Sequence, residues 1–126
     1  MRRREARAVE ALVDAVAAPR PPLPPVADTD AVASFATWIA LAPQPNRALL
    51  HAALGTLALA RLARRDRAGR LALLRRLGRH SPLAEGLRAT AAVSYYGDAG
   101  VLRALGHVSP ARGGTRAHHA SRTVAA

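Results

Sequence analysis

An all-α protein, folded as a compact bundle of five to six short helices, is what three features of this 126-residue chain predict. Thirty-one Ala and seventeen Leu supply residues at the top of the helix-propensity scale. The β-branched and aromatic residues that populate strands are scarce, with only four aromatics in the whole chain. Apolar residues recur at helical spacing, and the breaks between those stretches carry Pro, Gly and capping residues. The length suits one small core, so residues 1–106 are read as one helical domain and 107–126 as a disordered basic tail.

The first helix is expected from about Arg3 to Ala17, because Val9, Leu12, Val13 and Val16 fall at i, i+3, i+4 and i+7 with Glu10 and Asp14 outside the stripe. Pro19, Pro21, Pro22, Pro24 and Pro25 then forbid helix and favour an extended strap, whose Leu23 and Val26 can still pack on the body. Asp28, Thr29 or Asp30 is placed to cap a second helix with Val32, Phe35, Ile39 and Ala42 inward and Trp38 beside them. Pro43 and Pro45 end it. Asn46 would cap a third helix from about Arg47 to Leu62, in which Leu49, Leu50, Ala53, Leu54, Leu57 and Ala60 leave almost no polar side. A helix apolar nearly all round is buried on several faces, so this one is expected at the centre.

Asp66 caps a short fourth helix with Leu71, Leu74 and Leu77 inward, stopped by Gly78. Ser81-Pro82 is a strong start signal for a fifth, running to about Tyr95 with a narrow side of Leu83, Leu87, Thr90, Ala91 and Ser94. Ala89, Ala91, Ala92 and Ser94 would admit a second backbone at close range, inside the domain or across an interface. Gly97 fits a left-handed helix-closing residue, and Asp98 can cap a last helix carrying Val101, Leu102 and Leu105 before Gly106.

Tyr95-Tyr96-Gly97-Asp98 is the most specified stretch, since it gathers half of the aromatics at a helix break. Adjacent helical positions point about 100° apart, so only one of the two tyrosines can face the core fully and the other is free for a partner. The alternative is that both hydroxyls tie the break to a neighbouring loop. Trp38 and Phe35 read more simply as core than as a ligand cage.

The formal charge of +11 is concentrated at residues 61–79, where eight Arg stand against Asp66 alone. All nineteen basic residues are Arg, which a GC-rich coding sequence also produces, so the run reads either as solvated surface or as a site for an acidic partner. A nucleic-acid module would use Arg61, Arg64, Arg65, Arg67, Arg70, Arg75, Arg76 and Arg79, although aromatics are missing from that stretch. The absence of Cys removes disulfides and thiolate chemistry. His51, His80 and His107 lack acidic partners at helical spacing, and His118-His119 are adjacent in a tail without carboxylates, so no metal site is expected. No nucleophile elbow surrounds Ser34, Ser81, Ser94 or Ser109, and Gly113-Gly114 matches no phosphate-binding fingerprint. A standalone hydrolase or isomerase would want paired acid and base residues, which the pattern does not supply. Ala48 to Ala60 is too short to span a bilayer, and Arg2-Arg3-Arg4 runs into Glu5 rather than an apolar leader segment, so a cytoplasmic chain is expected.

Two segments resemble the gluconate 2-dehydrogenase subunit 3 family, the small subunit that accompanies flavin-dependent GMC-type dehydrogenases. Asp28 to Leu57 reads DTDAVASFATWIALAPQPNRALLHAALGTL, with an acid-rich cap, an aromatic helix, a Pro-x-Pro-Asn break and a long apolar helix in order. Ser81 to Gly106 reads SPLAEGLRATAAVSYYGDAGVLRALG, with the Tyr-Tyr-Gly-Asp break and the Leu-Gly ending. A weaker likeness around Val9 to Val16 extends the resemblance over most of residues 3–106. It implies a noncatalytic helical accessory subunit without a cofactor of its own, which clasps, stabilises or escorts a large subunit that binds FAD and oxidises an alcohol or sugar hydroxyl. Trp38, Tyr95, Tyr96, Gly97 and Asp98 carry over as fold and partner-interface markers. Some members of the family bear a twin-arginine leader that exports the partner too; the charged helix after Arg4 departs from that pattern and leaves periplasmic export of this chain open.

Overall fold

A computed structural model describes residues 1–79 and 81–106. Six helices form an all-α bundle: α1 Arg3–Ala17, α2 Ala31–Leu41, α3 Gln44–Leu59, α4 Arg67–Gly78, α5 Pro82–Tyr96 and α6 Ala99–Ala104. Short 3-10 turns at Val26–Asp28 and Leu62–Arg64 complete the order, with no strand among the described residues. The expected basic tail, together with His80, His107, Ser109, Gly113-Gly114 and His118-His119, lies outside the described residues.

The centre of the bundle is α1. Ala8, Val9, Ala11, Leu12, Val13 and Ala15 are all buried, and at 100° per residue they cover roughly 200° of the helix circumference. The three alanines widen the stripe predicted from Val9, Leu12 and Val13, because they let α2, α3, α4 and α5 approach α1 from both sides. The expectation that α3 is central is therefore corrected. Only Leu54 and Leu57 of α3 are buried, and Leu49 and Leu59 face outward. Its apolar circumference reflects Ala and Leu usage rather than encirclement by neighbours.

Local chemistry explains most of the boundaries. Asp66 accepts a hydrogen bond from the Gly69 N–H and caps α4, while Ser81 accepts from the Leu83 N–H ahead of Pro82 at the start of α5. Asn46 is not the α3 cap: the helix begins at Gln44 and takes Pro45 into its first turn, where a missing N–H removes no helical bond. Thr29 Oγ1 accepts from the Ala31 N–H at the entry to α2. Positive φ occurs at Ala18 (44°), Arg61 (57°) and Gly106 (82°). Gly97, expected there, has a right-handed φ of −81°. Glycine is favoured at 97 for space instead, since a Cβ would lie 2.8 Å from the Val93 carbonyl oxygen.

The narrow side of α5 packs inside the domain. Ala84, Leu87, Ala91, Ser94 and Tyr95 are buried, chiefly toward α1 and α2, while Ala89 is exposed. The small residues at 91 and 94 admit the neighbouring backbones, and the Ser94 hydroxyl is buried with no hydrogen-bond partner among the described residues.

Candidate docking surfaces

The Tyr-Tyr-Gly-Asp break fastens the connector between α1 and α2 at three points. Tyr95 is fully buried, and its hydroxyl donates to the Pro24 carbonyl oxygen at 2.7 Å. Tyr96 is partly exposed and points its hydroxyl at the Ala17 carbonyl oxygen, 3.5 Å away, where the connector leaves α1. Asp98 Oδ1 caps α6 by accepting from the Gly100 and Val101 N–H groups, and its Oδ2 accepts from the Asp30 N–H at 2.9 Å, where the connector enters α2. Beginning, middle and end of the proline strap are thus held by one helix junction. The two rings stack edge to face with centroids 5.2 Å apart.

The electrostatics follow from this packing. Burial, then the neighbouring Tyr96 and Asp98, holds the Tyr95 phenol above the ordinary tyrosine value, so it remains a donor through the neutral range. Burial of Asp98 opposes its charge, but the Asp30, Val101 and Gly100 N–H groups together with Arg103 outweigh that cost and keep its carboxyl below the usual value.

These placements divide the five residues marked by the sequence. Tyr95 is an internal fastening with no surface to offer a partner. Gly97 and Asp98 form the junction itself. Tyr96 is 41% and Trp38 52% exposed, so these two can reach another molecule, and the expectation that Trp38 joins Phe35 in the core is corrected. The α2 core face is set by Ala31, Phe35 and Ile39, and Trp38 lies about 60° off its midline.

Trp38 has exposed apolar company that the sequence reading missed. Leu41, one turn further along α2, is 74% exposed, and Leu49, in the second turn of α3 beyond the short Ala42-Pro43 corner, is 52% exposed. A wheel drawn on Phe35 and Ile39 for α2, and on Leu50, Leu54 and Leu57 for α3, would have put both outside the buried stripe.

The arginine run is broken up by the fold. Arg67 and Arg70 each place a guanidinium nitrogen 3.0 Å from Asp14 of α1. Arg70 also donates to the Leu62 and Ala63 carbonyl oxygens, and Arg65 to that of Ala60. Two of the eight arginines therefore clamp the turn between α3 and α4 to α1, and Arg65 closes the turn on itself. His51 lies 3.5 Å from Glu5 across α3 and α1, a pairing that spacing within one helix does not reveal.

Part of the acidic set is engaged in the same manner, while Glu10, Asp28 and Asp30 are exposed. Glu5 accepts from the Arg2 N–H at the start of α1, Asp14 holds Arg67 and Arg70, and Glu85 faces Arg88 within α5. Among the described residues no three of His, Cys, Asp and Glu are gathered where they would hold a metal ion, and no helix there is long and apolar enough to cross a membrane. No protein-family model, curated protein or solved structure matches the chain.

Proposed function

We propose that this chain is a noncatalytic helical subunit that binds a larger protein and stabilises or escorts it, the partner being a GMC-type dehydrogenase that carries FAD and oxidises an alcohol or sugar hydroxyl. The observation that carries the docking part is the exposed Trp38, Leu41 and Leu49 around the α2–α3 corner. A tryptophan left half in water by its own fold is the side chain type that most often anchors a protein interface. Glu5, Asp14, Asp66 and Asp98 are held in caps and ion pairs, which supports a structural role for these four acids. The identity of the partner is drawn from the resemblance of Asp28–Leu57 and Ser81–Gly106 to the small-subunit family.

Co-expression with a GMC-type flavoprotein dehydrogenase from the same genome tests the reading. The two chains are expected to elute together with flavin absorbance in the shared peak, and Trp38→Ala is expected to weaken the association about 30-fold, as for an interface anchor of about 2 kcal/mol. Clean separation of the wild-type chains at micromolar concentration would refute it.

A further inference from the structure

A second exposed surface lies at the other end of α3, roughly 15 Å along the axis from Leu49. Ala58 and Leu59 form a ridge between two open grooves of about 450 and 440 Å³. The first is lined by Arg2, Arg3 and Arg4 with Glu5 and Gly55; the second by Arg4, Arg7, Arg61 and Arg64 with Ala8 and Ala63. Leu59 is 80% exposed, more than any other large apolar residue among those described. All six arginines are exposed, and none pairs with a carboxylate among the described residues. They come from two segments more than fifty residues apart, brought together by the packing of α1 against the 3-10 turn at Leu62–Arg64. Arg61 holds its place with a φ of 57°, a left-handed conformation that costs a non-glycine residue free energy and that the fold nevertheless maintains.

We propose that this end of the bundle seats on an anionic lipid surface, with the Arg guanidinium groups on headgroup phosphates and Leu59 in the boundary between headgroups and acyl chains. Six arginines against Glu5 provide the attraction to a negative surface potential. The leucine at the crest selects among anionic partners. A free phosphate or a nucleic-acid backbone gives Leu59 little apolar surface to bury against, and no aromatic side chain lines either groove for base stacking. A lipid boundary accepts both parts of the pattern, since Arg stems lie along apolar material while their heads stay hydrated. The inference does not depend on the identity of the protein partner, and its surface lies at the opposite end of α3 from the Trp38 corner.

Co-sedimentation of the full chain with vesicles tests it. Vesicles of phosphatidylglycerol and phosphatidylcholine, mixed at roughly one to two, are expected to carry the protein down in about 0.1 M salt, whereas phosphatidylcholine alone is not. Arg7→Gln with Arg64→Gln is expected to weaken binding about 25-fold, about fivefold for each charge. Leu59→Ser is expected to weaken it about tenfold while leaving the melting temperature and retention on duplex DNA unchanged. Arg75→Gln with Arg76→Gln, on α4 outside both grooves, is expected to change vesicle binding less than about twofold. The proposal is overturned if the wild-type chain stays in the supernatant with anionic vesicles. It is equally overturned if Leu59→Ser binds vesicles as the wild type does, which would mark the grooves as a phosphate reader, or if the α4 pair loses as much as the groove pair, which would leave only net charge.

Discussion

Replacing Tyr95 with Phe removes one oxygen and tests whether the proline connector is fastened from the α5–α6 junction. The hydroxyl is buried, the bond to the Pro24 carbonyl is 2.7 Å long, and Phe fills nearly the same volume. The hydrogen bond itself is worth about 1 kcal/mol net, and leaving the partly buried Pro24 oxygen without its donor adds a fraction of its desolvation penalty, for a loss of about 1.5 kcal/mol. In a domain of this size that lowers the melting temperature by about 6 °C. Thermal and urea unfolding followed by circular dichroism would measure it, with an unchanged dependence on denaturant. Hydrogen exchange should quicken at the Leu23 and Thr29 amides, which donate to Arg20 and Val26 within the connector. Tyr96→Phe is the control: its 3.5 Å contact is exposed, so the cost is expected below about 0.5 kcal/mol. The same pair reports on pH. The Tyr95 phenol is raised by burial above its unfolded value, so its contribution is full below about pH 10 and lost as pH rises through the folded value, and Tyr95→Phe should flatten that alkaline decline. A cost for Tyr95→Phe below about 0.3 kcal/mol, or one no larger than that of Tyr96→Phe, would refute the reasoning.

Asp98→Asn removes the charge that accepts from Asp30, Gly100 and Val101, and is expected to cost about 1 to 2 kcal/mol at neutral pH by chemical denaturation. Because the Asp98 carboxyl is held below its unfolded value, its contribution is full above about pH 5 and lost as pH falls through the folded value, so the variant should lose less stability than the wild type on acidification. Ala18→Gly should raise the melting temperature by a few degrees, about 0.5 to 1 kcal/mol, since Ala18 closes α1 at a φ of 44° where glycine carries no Cβ penalty. A drop in melting temperature would mean that the Ala18 methyl group is packed more tightly than its partial burial implies.

Capping chemistry was legible in advance because it is local. Asp66, Ser81 and Asp98 each satisfy N–H groups two or three positions away, and such a bond forms wherever the helix ends up. Helical periodicity likewise placed the Val9–Leu12–Val13 stripe and the inward Leu74, and the step of about 100° between neighbouring tyrosines anticipated one buried and one exposed ring, while the alternative, both hydroxyls tied to a neighbouring loop, is met by the contacts to Pro24 and Ala17. The errors fall where a second element had to be known. Trp38 and Phe35 have similar apolar weight, and only the seat of α2 against α1 and α5 decides which is covered. Leu59 projects about 180° from Leu50 on α3, which a helical wheel shows, but its ring of arginines from α1 is invisible along the chain.

What the amino-acid sequence determined by itself is the all-α class, the approximate helix limits and the identity of most caps, since propensity, proline geometry and hydrogen bonds to near neighbours act over one or two turns. The tertiary structure alone decided that α1 rather than α3 is the axis of the bundle, that Tyr95 fastens Pro24, and which arginines clamp Asp14 and which flank Leu59. Each of those outcomes depends on a contact between residues far apart in the chain. Burial and charge pairing are properties of the packed pair, and neither residue carries them alone.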